Sequence, residues 1–269
     1  MPFIGLAKDK AATENQHKKM QNYCKTIGAL AAASALVAGN AQAEVEYQLH
    51  AGYSTEYIFR GVELGDDLVE SGFDVATEVG GINLSGGVWY ANYQAPEDFR
   101  KSSDTEINVN EIDLYAEAAK DLGFAKFRVG YIYYYNDTDK FTTDTFGKSG
   151  DYQEVYFGAS RDLGFATLAL TYYWDIVGDN DGYTELGLTR SFELSPCLSL
   201  NVASNVGYLI ENGDFTAWSN KVSLDWGFAE KAKLSPFVAY TVALSDENNT
   251  AYHSSENEFT VGSMISVSF

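Results

Sequence analysis

The sequence predicts an all-β fold, a transmembrane antiparallel up-and-down β-barrel of about 12 strands, on three observations. The last twelve residues alternate strictly, with Phe259, Val261, Ser263, Ile265, Val267 and Phe269 on one face and Thr260, Gly262, Met264, Ser266 and Ser268 on the other. The near end of the chain carries an export pattern and no later segment is apolar enough for a spanning helix. The links between candidate strands alternate between tight turns and longer acidic stretches, as the two rims of such a barrel require.

Taken in order, the chain opens with an extension. Lys18, Lys19 and Lys25 precede an apolar run from Ile27 to Ala38, and Ala41-Gln42-Ala43 offers the small residues a leader peptidase reads. A signal peptide cleaved after Ala43 is expected, so residues 1–43 form the extension and leader and residues 44–269 the barrel. Whether translation starts at Met1 or Met20 stays open, since Met20 begins a leader of ordinary length.

The mature chain keeps 13 basic and 36 acidic residues, a net charge of −23, which argues against a nucleic-acid partner. Cys24 lies in the leader, so the mature chain carries one cysteine, Cys197, and no disulfide framework or zinc spacing is expected. Abundant Tyr, Phe and Gly favour strands.

Strands are expected around residues 46–60, 68–78, 82–93, 110–120, 125–135, 152–161, 166–175, 183–193, 198–210, 216–228, 233–244 and 258–269. Tight links fall at Gly80-Gly81, Asp121 to Phe124, Asp162 to Phe165, Leu194 to Cys197 and Ala229 to Ala232. The longest of the others are Arg100 to Asn110, Asn136 to Gly150 and Ser245 to Asn257; shorter ones are expected at Gly61 to Asp67, Val177 to Gly182 and Glu211 to Phe215. A repeat supports the hairpin as the building unit: Asp121-Leu122-Gly123-Phe124-Ala125 recurs 41 residues later as Asp162-Leu163-Gly164-Phe165-Ala166. Glycine supplies the positive φ of the turn, and the adjacent Phe suits a membrane interface.

Within strands one face is apolar with aromatic ends, as in Phe127, Val129, Tyr131, Tyr133 and Tyr135, and the other is mixed and charged. A soluble β-sandwich or lipocalin would show the same alternation; the leader, the terminal Phe and the placement of the aromatics decide for the membrane. Phe269 resembles the assembly signal that bacterial barrel-assembly machinery reads. In a bilayer the sheet must close, because an unpaired edge amide has no water to bond.

Tyr53-Ser54-Thr55-Glu56-Tyr57-Ile58-Phe59-Arg60-Gly61-Val62, followed by Gly86-Gly87-Val88-Trp89 and Asn92, resembles the N-terminal signature of the TorF-type (Gcw) porin family of outer-membrane β-barrels. The likeness covers residues 47–93, and Tyr90-Ala91 departs from the family's Ser-Asn pair. The resemblance implies an outer-membrane barrel that passes small solutes.

Side-chain parity points Glu46, Glu56, Glu70, Asp74, Glu78, Asp113, Glu117, Glu154, Asp175, Glu185 and Asp225 into the lumen, against Arg60, Lys126, Arg128 and Lys221. That balance favours cations along a water-filled path. The opposite reading is that these charges pair and fill a closed, non-conducting barrel whose acidic loops bind a partner. Arg60 is expected to brace a constriction against Glu56, Glu70 and Asp74. No catalytic residue, cofactor or metal is expected: there is no nucleophile elbow, and Asp179-Asn180-Asp181-Gly182 lacks the bidentate Glu of a calcium loop. His253 reads as a solvated loop residue and His50 as a lumen residue bonded to a carboxylate. Expected partners are outer-membrane lipid and lipopolysaccharide, small solutes and the assembly machinery.

Overall fold

The computed structural model describes residues 45–96, 108–136, 151–178, 182–210, 213–244 and 256–269. The leader, His253, Asp179 to Asp181 and most of the three longest links lie outside them.

The described residues form twelve antiparallel strands: β1 (Glu46–Phe59), β2 (Val62–Val79), β3 (Ile82–Gln94), β4 (Asn108–Asp121), β5 (Lys126–Asn136), β6 (Tyr152–Asp162), β7 (Thr167–Asp175), β8 (Tyr183–Ser195), β9 (Leu198–Leu209), β10 (Asp214–Ala229), β11 (Ala232–Ala243) and β12 (Glu258–Ser268). Each pairs with its sequence neighbours, and β1 pairs with β12 to close the sheet. At the seam Gln48 stands opposite Ser268 and Ser54 opposite Gly262. Beyond Ser268 the last residue still holds: Phe269 N donates to Tyr47 O at 3.0 Å, and Tyr47 N to Phe269 O at 3.2 Å. No helix among the described residues is long and apolar enough to cross a membrane, and crossing falls to the strands.

The period-two pattern resolves into an outer and an inner face. Leu49, Leu114, Val129, Leu170, Val222 and Ile265 stand exposed on the outside, each about 40 to 50% accessible, where a soluble fold would bury them. Aromatic side chains flank this belt: Phe124, Phe165, Trp226 and Phe228 near the short-turn rim, and Tyr53, Trp218, Tyr240 and Phe259 towards the other. A closed barrel with this belt is built for lipid, and the protein is an outer-membrane β-barrel.

Short turns join β2 to β3, β4 to β5, β6 to β7, β8 to β9 and β10 to β11 on one rim, which corresponds to the periplasmic side of barrels of this class. Pro236 sits near that rim, opposite Ser263 of β12.

One expected link is not a loop. The sequence pattern predicts a link over Gly61 to Asp67, yet β2 begins at Val62 and only Arg60-Gly61 separate it from β1. The cause is an apolar tip, in which Ile58, Phe59, Val62 and Leu64 gain from burial that a solvated loop would deny them. Arg60 and Gly61 turn the chain with positive φ, 53° and 90°.

Candidate functional site: a hairpin folded into the lumen

The tip of the β1–β2 hairpin leaves the barrel wall. Pairing of β1 with β12 stops at Ser54, and the β2–β3 ladder shifts between Asp66 and Val69. Asp67, at φ 52°, marks the bend. Within the tip the two strands still pair with each other, through Glu56 opposite Asp66 and Phe59 opposite Val62. Side chains replace the missing ladder at the seam: Thr55 Oγ1 accepts from Val261 N at 3.0 Å, and Thr260 Oγ1 donates to Glu56 Oε2 at 3.1 Å.

The freed tip packs inside the barrel. Val62, Leu64 and Leu68 are buried with Ala91, Tyr93, Ala95 and Val109, and Tyr57, Phe59 and Trp89 pack against them. Tyr57 meets Tyr93 edge-on at 5.0 Å, and Phe59 meets Tyr134 of β5 at 6.1 Å. Gly61 reaches β10 so closely that a Cβ on it would lie 2.1 Å from the Cβ of Ala217. The fold's apolar core is therefore this plug in the half away from the short turns.

Arg60, at the turn, spans to strands that stand opposite β1 in the closed order. Its guanidinium makes a two-pronged contact with Glu154 of β6, 2.7 Å to Oε1 and 2.6 Å to Oε2. Both side chains are almost wholly buried, 6% and 2% accessible. Tyr134 OH donates to the same Glu154 Oε2 at 3.0 Å. The guanidinium carbon also lies 4.7, 4.5 and 4.6 Å from the ring centres of Phe59, Tyr173 and Tyr183. A planar cation is thus held at its edge by a carboxylate and across its faces by rings.

Sequence parity set Arg60 beside Glu56, Glu70 and Asp74, and the structure corrects this: it pairs with Glu154 across the barrel, because parity assumes a residue that stays in the wall. Glu56 instead binds Thr260. Glu70 accepts from Trp89 Nε1 at 2.7 Å, while Asp74 binds His50 Nδ1 at 3.1 Å and Tyr115. Glu117 accepts from Tyr156 at 2.8 Å and lies 3.7 Å from Arg128, whose other nitrogen reaches Thr171 at 2.6 Å. Asp225 is bound by Lys233 at 2.9 Å, and Lys221 Nζ lies 3.8 Å from the Phe237 ring centre. Asp113 projects beside Glu111 from β4, and each has one buried carboxylate oxygen without a hydrogen-bond partner.

Glu111 and Lys233 were missed by the sequence reading. Glu111 shares the parity of Asp113 and was legible by the same rule. Lys233 sits at the start of β11, where the strand boundary decides its face.

The family model described as "Bacterial protein of unknown function (Gcw_chp)" matches residues 38–267. The chain belongs to the Gcw_chp family. No curated protein matches it in sequence. Among solved structures, an outer-membrane channel from Pseudomonas putida F1 superposes with a TM-score of 0.53 at 12% identity, covering 86% of this chain and 97% of that one. The KdgM porin gives 0.49 at 9% identity, covering 82% and 99%. The outer-membrane phospholipase A of Escherichia coli gives 0.44 at 11% identity, covering 83% and 92%. At 12% identity the likeness to the Pseudomonas putida channel is one of fold, a closed outer-membrane β-barrel, within which this Gcw_chp chain supplies its own lumen.

Proposed function

We propose that the protein is a porin-like channel for passive passage of small solutes, with the β1–β2 hairpin as its constriction. The observation that carries this is the Arg60–Glu154 pair, which ties the hairpin tip to the opposite wall. A twelve-stranded barrel encloses more space than eight strands, whose interior side chains alone can fill, and here a folded-in segment occupies the difference. The path that opens when the tip moves is cation-preferring, a reading that the excess of inward carboxylates over Arg60, Lys126, Arg128, Lys221 and Lys233 supports. Small cations are the expected solutes, and we assign the barrel no catalytic role.

A second reading has an observation in its favour: the buried tip also suits a barrel that never conducts, retained for structural or adhesive duty. Planar-bilayer recording separates the two. Removing Arg60 leaves Glu154 as a buried charge without its counter-ion, a situation that costs on the order of 3–5 kcal/mol and is relieved when the tip swings out and water enters. Arg60→Ala should therefore raise single-channel conductance several-fold with unchanged heat-modifiability, and reversal potentials under a salt gradient should show cation preference that weakens towards 1 M salt. A folded variant that stays silent would support the structural reading.

A further inference from the structure

We infer that the place Arg60 occupies is a recognition site for solutes bearing a guanidinium or primary ammonium group, and that Arg60 is its tethered occupant. The inference rests on the hairpin constriction proposed above and names the solute class that would work it.

The chemistry of the wall is complete without Arg60. Glu154 comes from β6, Tyr173 from β7, Tyr183 from β8 and Tyr134 from β5, all elements that stay in the barrel. Glu154 is 1% accessible as a residue, and one of its oxygens is further fixed by Tyr134 OH. Glu185 of β8 is a second carboxyl group within the electrostatic reach of Arg60. Two ring faces and a fixed bidentate carboxylate define a slot for a flat or compact cation. An anion or a sugar finds less complementarity there, since the groups that touch the Arg60 guanidinium are a carboxylate and ring faces, and Arg128, whose field also reaches Tyr173 and Glu185, is engaged by Thr171 at 2.6 Å and lies 3.7 Å from Glu117.

The occupant, by contrast, is delivered on a segment attached by a bend. The tip is held by burial of its apolar residues, by the side-chain bonds of Thr55 and Glu56 to β12 and by the Arg60–Glu154 contact, and it is not laddered to β12 beyond Ser54 or, beyond Asp66, to β3. A tethered group competes at an effective concentration on the order of millimolar, so an abundant free cation of the same shape can displace it. Displacement frees the tip, and the solute then opens the path it will follow. A solute lacking the cation leaves the contact intact. The site would thus couple recognition to opening by direct competition.

The test uses the full-length mature barrel and methylguanidinium as probe, with binding read by calorimetry and opening by conductance. Arg60→Ala should bind methylguanidinium at least about tenfold more tightly than wild type, because the slot is vacated. Adding Tyr173→Leu to Arg60→Ala should weaken that binding about tenfold. In bilayers, millimolar methylguanidinium should raise wild-type open probability, and sodium at equal ionic strength should not. Equal binding of methylguanidinium by wild type and Arg60→Ala, or binding indifferent to Tyr173, would overturn the inference even if Arg60→Ala conducts. A silent Arg60→Ala barrel that still binds the probe through Tyr173 would instead defeat the channel reading and leave the slot in place.

Discussion

The Arg60-Gly61 turn and the Asp-Leu-Gly-Phe turns each reverse the chain around a glycine of positive φ, and to opposite ends. At Asp121 to Ala125 and Asp162 to Ala166 a glycine with φ near 85° is bonded through its N–H to the preceding aspartate at 2.7 Å, and Leu N donates to Ala O across the turn. A Cβ at Gly123 or Gly164 would meet nothing within 4 Å, and Phe124 and Phe165 are 60% and 65% accessible. At Gly61 the φ is 90°, but the turn is buried against Ala217. Backbone geometry makes both hairpins; the side chains around the turn decide whether it ends at the interface or folds into the lumen.

That contrast breaks most sharply at Gly61. Gly61→Val combines an unfavourable positive φ with a collision against Ala217, and neither strand can yield without the tip leaving the wall opposite. The expected outcome is the largest conductance rise of any single substitution in the barrel, with retained heat-modifiability showing that the wall still closes. A closed channel in this variant would mean that the tip is not seated against β10.

Glu154→Gln sharpens the comparison with a smaller effect. The amide keeps the size of the carboxylate and one acceptor for Arg60, and the rings of Phe59, Tyr173 and Tyr183 still lie against the guanidinium. Charge-assisted contacts are roughly twice as strong as neutral ones, so open probability should rise, but less than in Arg60→Ala. Single-channel recording of the two variants side by side gives the ratio.

Most of the wall was legible in the sequence because its signals are local. Period-two alternation, Gly-containing turns and the repeat at a spacing of 41 residues place all twelve strands to within a few residues, apart from the start of β2. The plug was less legible. The tip's pairing partners are local, but its contacts with Glu154, Ala217, Tyr173 and Tyr183 span the barrel, and strand parity carries no information across the lumen. One signal was present in composition: the three longest links on that rim are polar, whereas Phe59-Arg60-Gly61-Val62-Glu63-Leu64 places the bulky apolar residues Phe59, Val62 and Leu64 around its turn. An apolar link beside water needs a place to bury, and the lumen is the nearest one.

The smallest expected effect lies at the repeated turns, and it tests whether the wall is indifferent to what happens there. Gly123→Ala and Gly164→Ala each force an L side chain into positive φ at about 1 kcal/mol, with no collision to add to it. The two sites belong to different hairpins and share no contact among the Asp-to-Gly and Leu-to-Ala bonds that hold each turn, so the costs should add to about 2 kcal/mol in the double variant. Urea unfolding of the refolded barrel in lipid measures this sum. Conductance and reversal potential should not change, because the bonds of these turns involve neither Arg60 nor the lumen charges. A conductance change from Gly123→Ala would tie the short-turn rim to the constriction, and the separation between a wall built from local signals and a plug built from distant ones would fail.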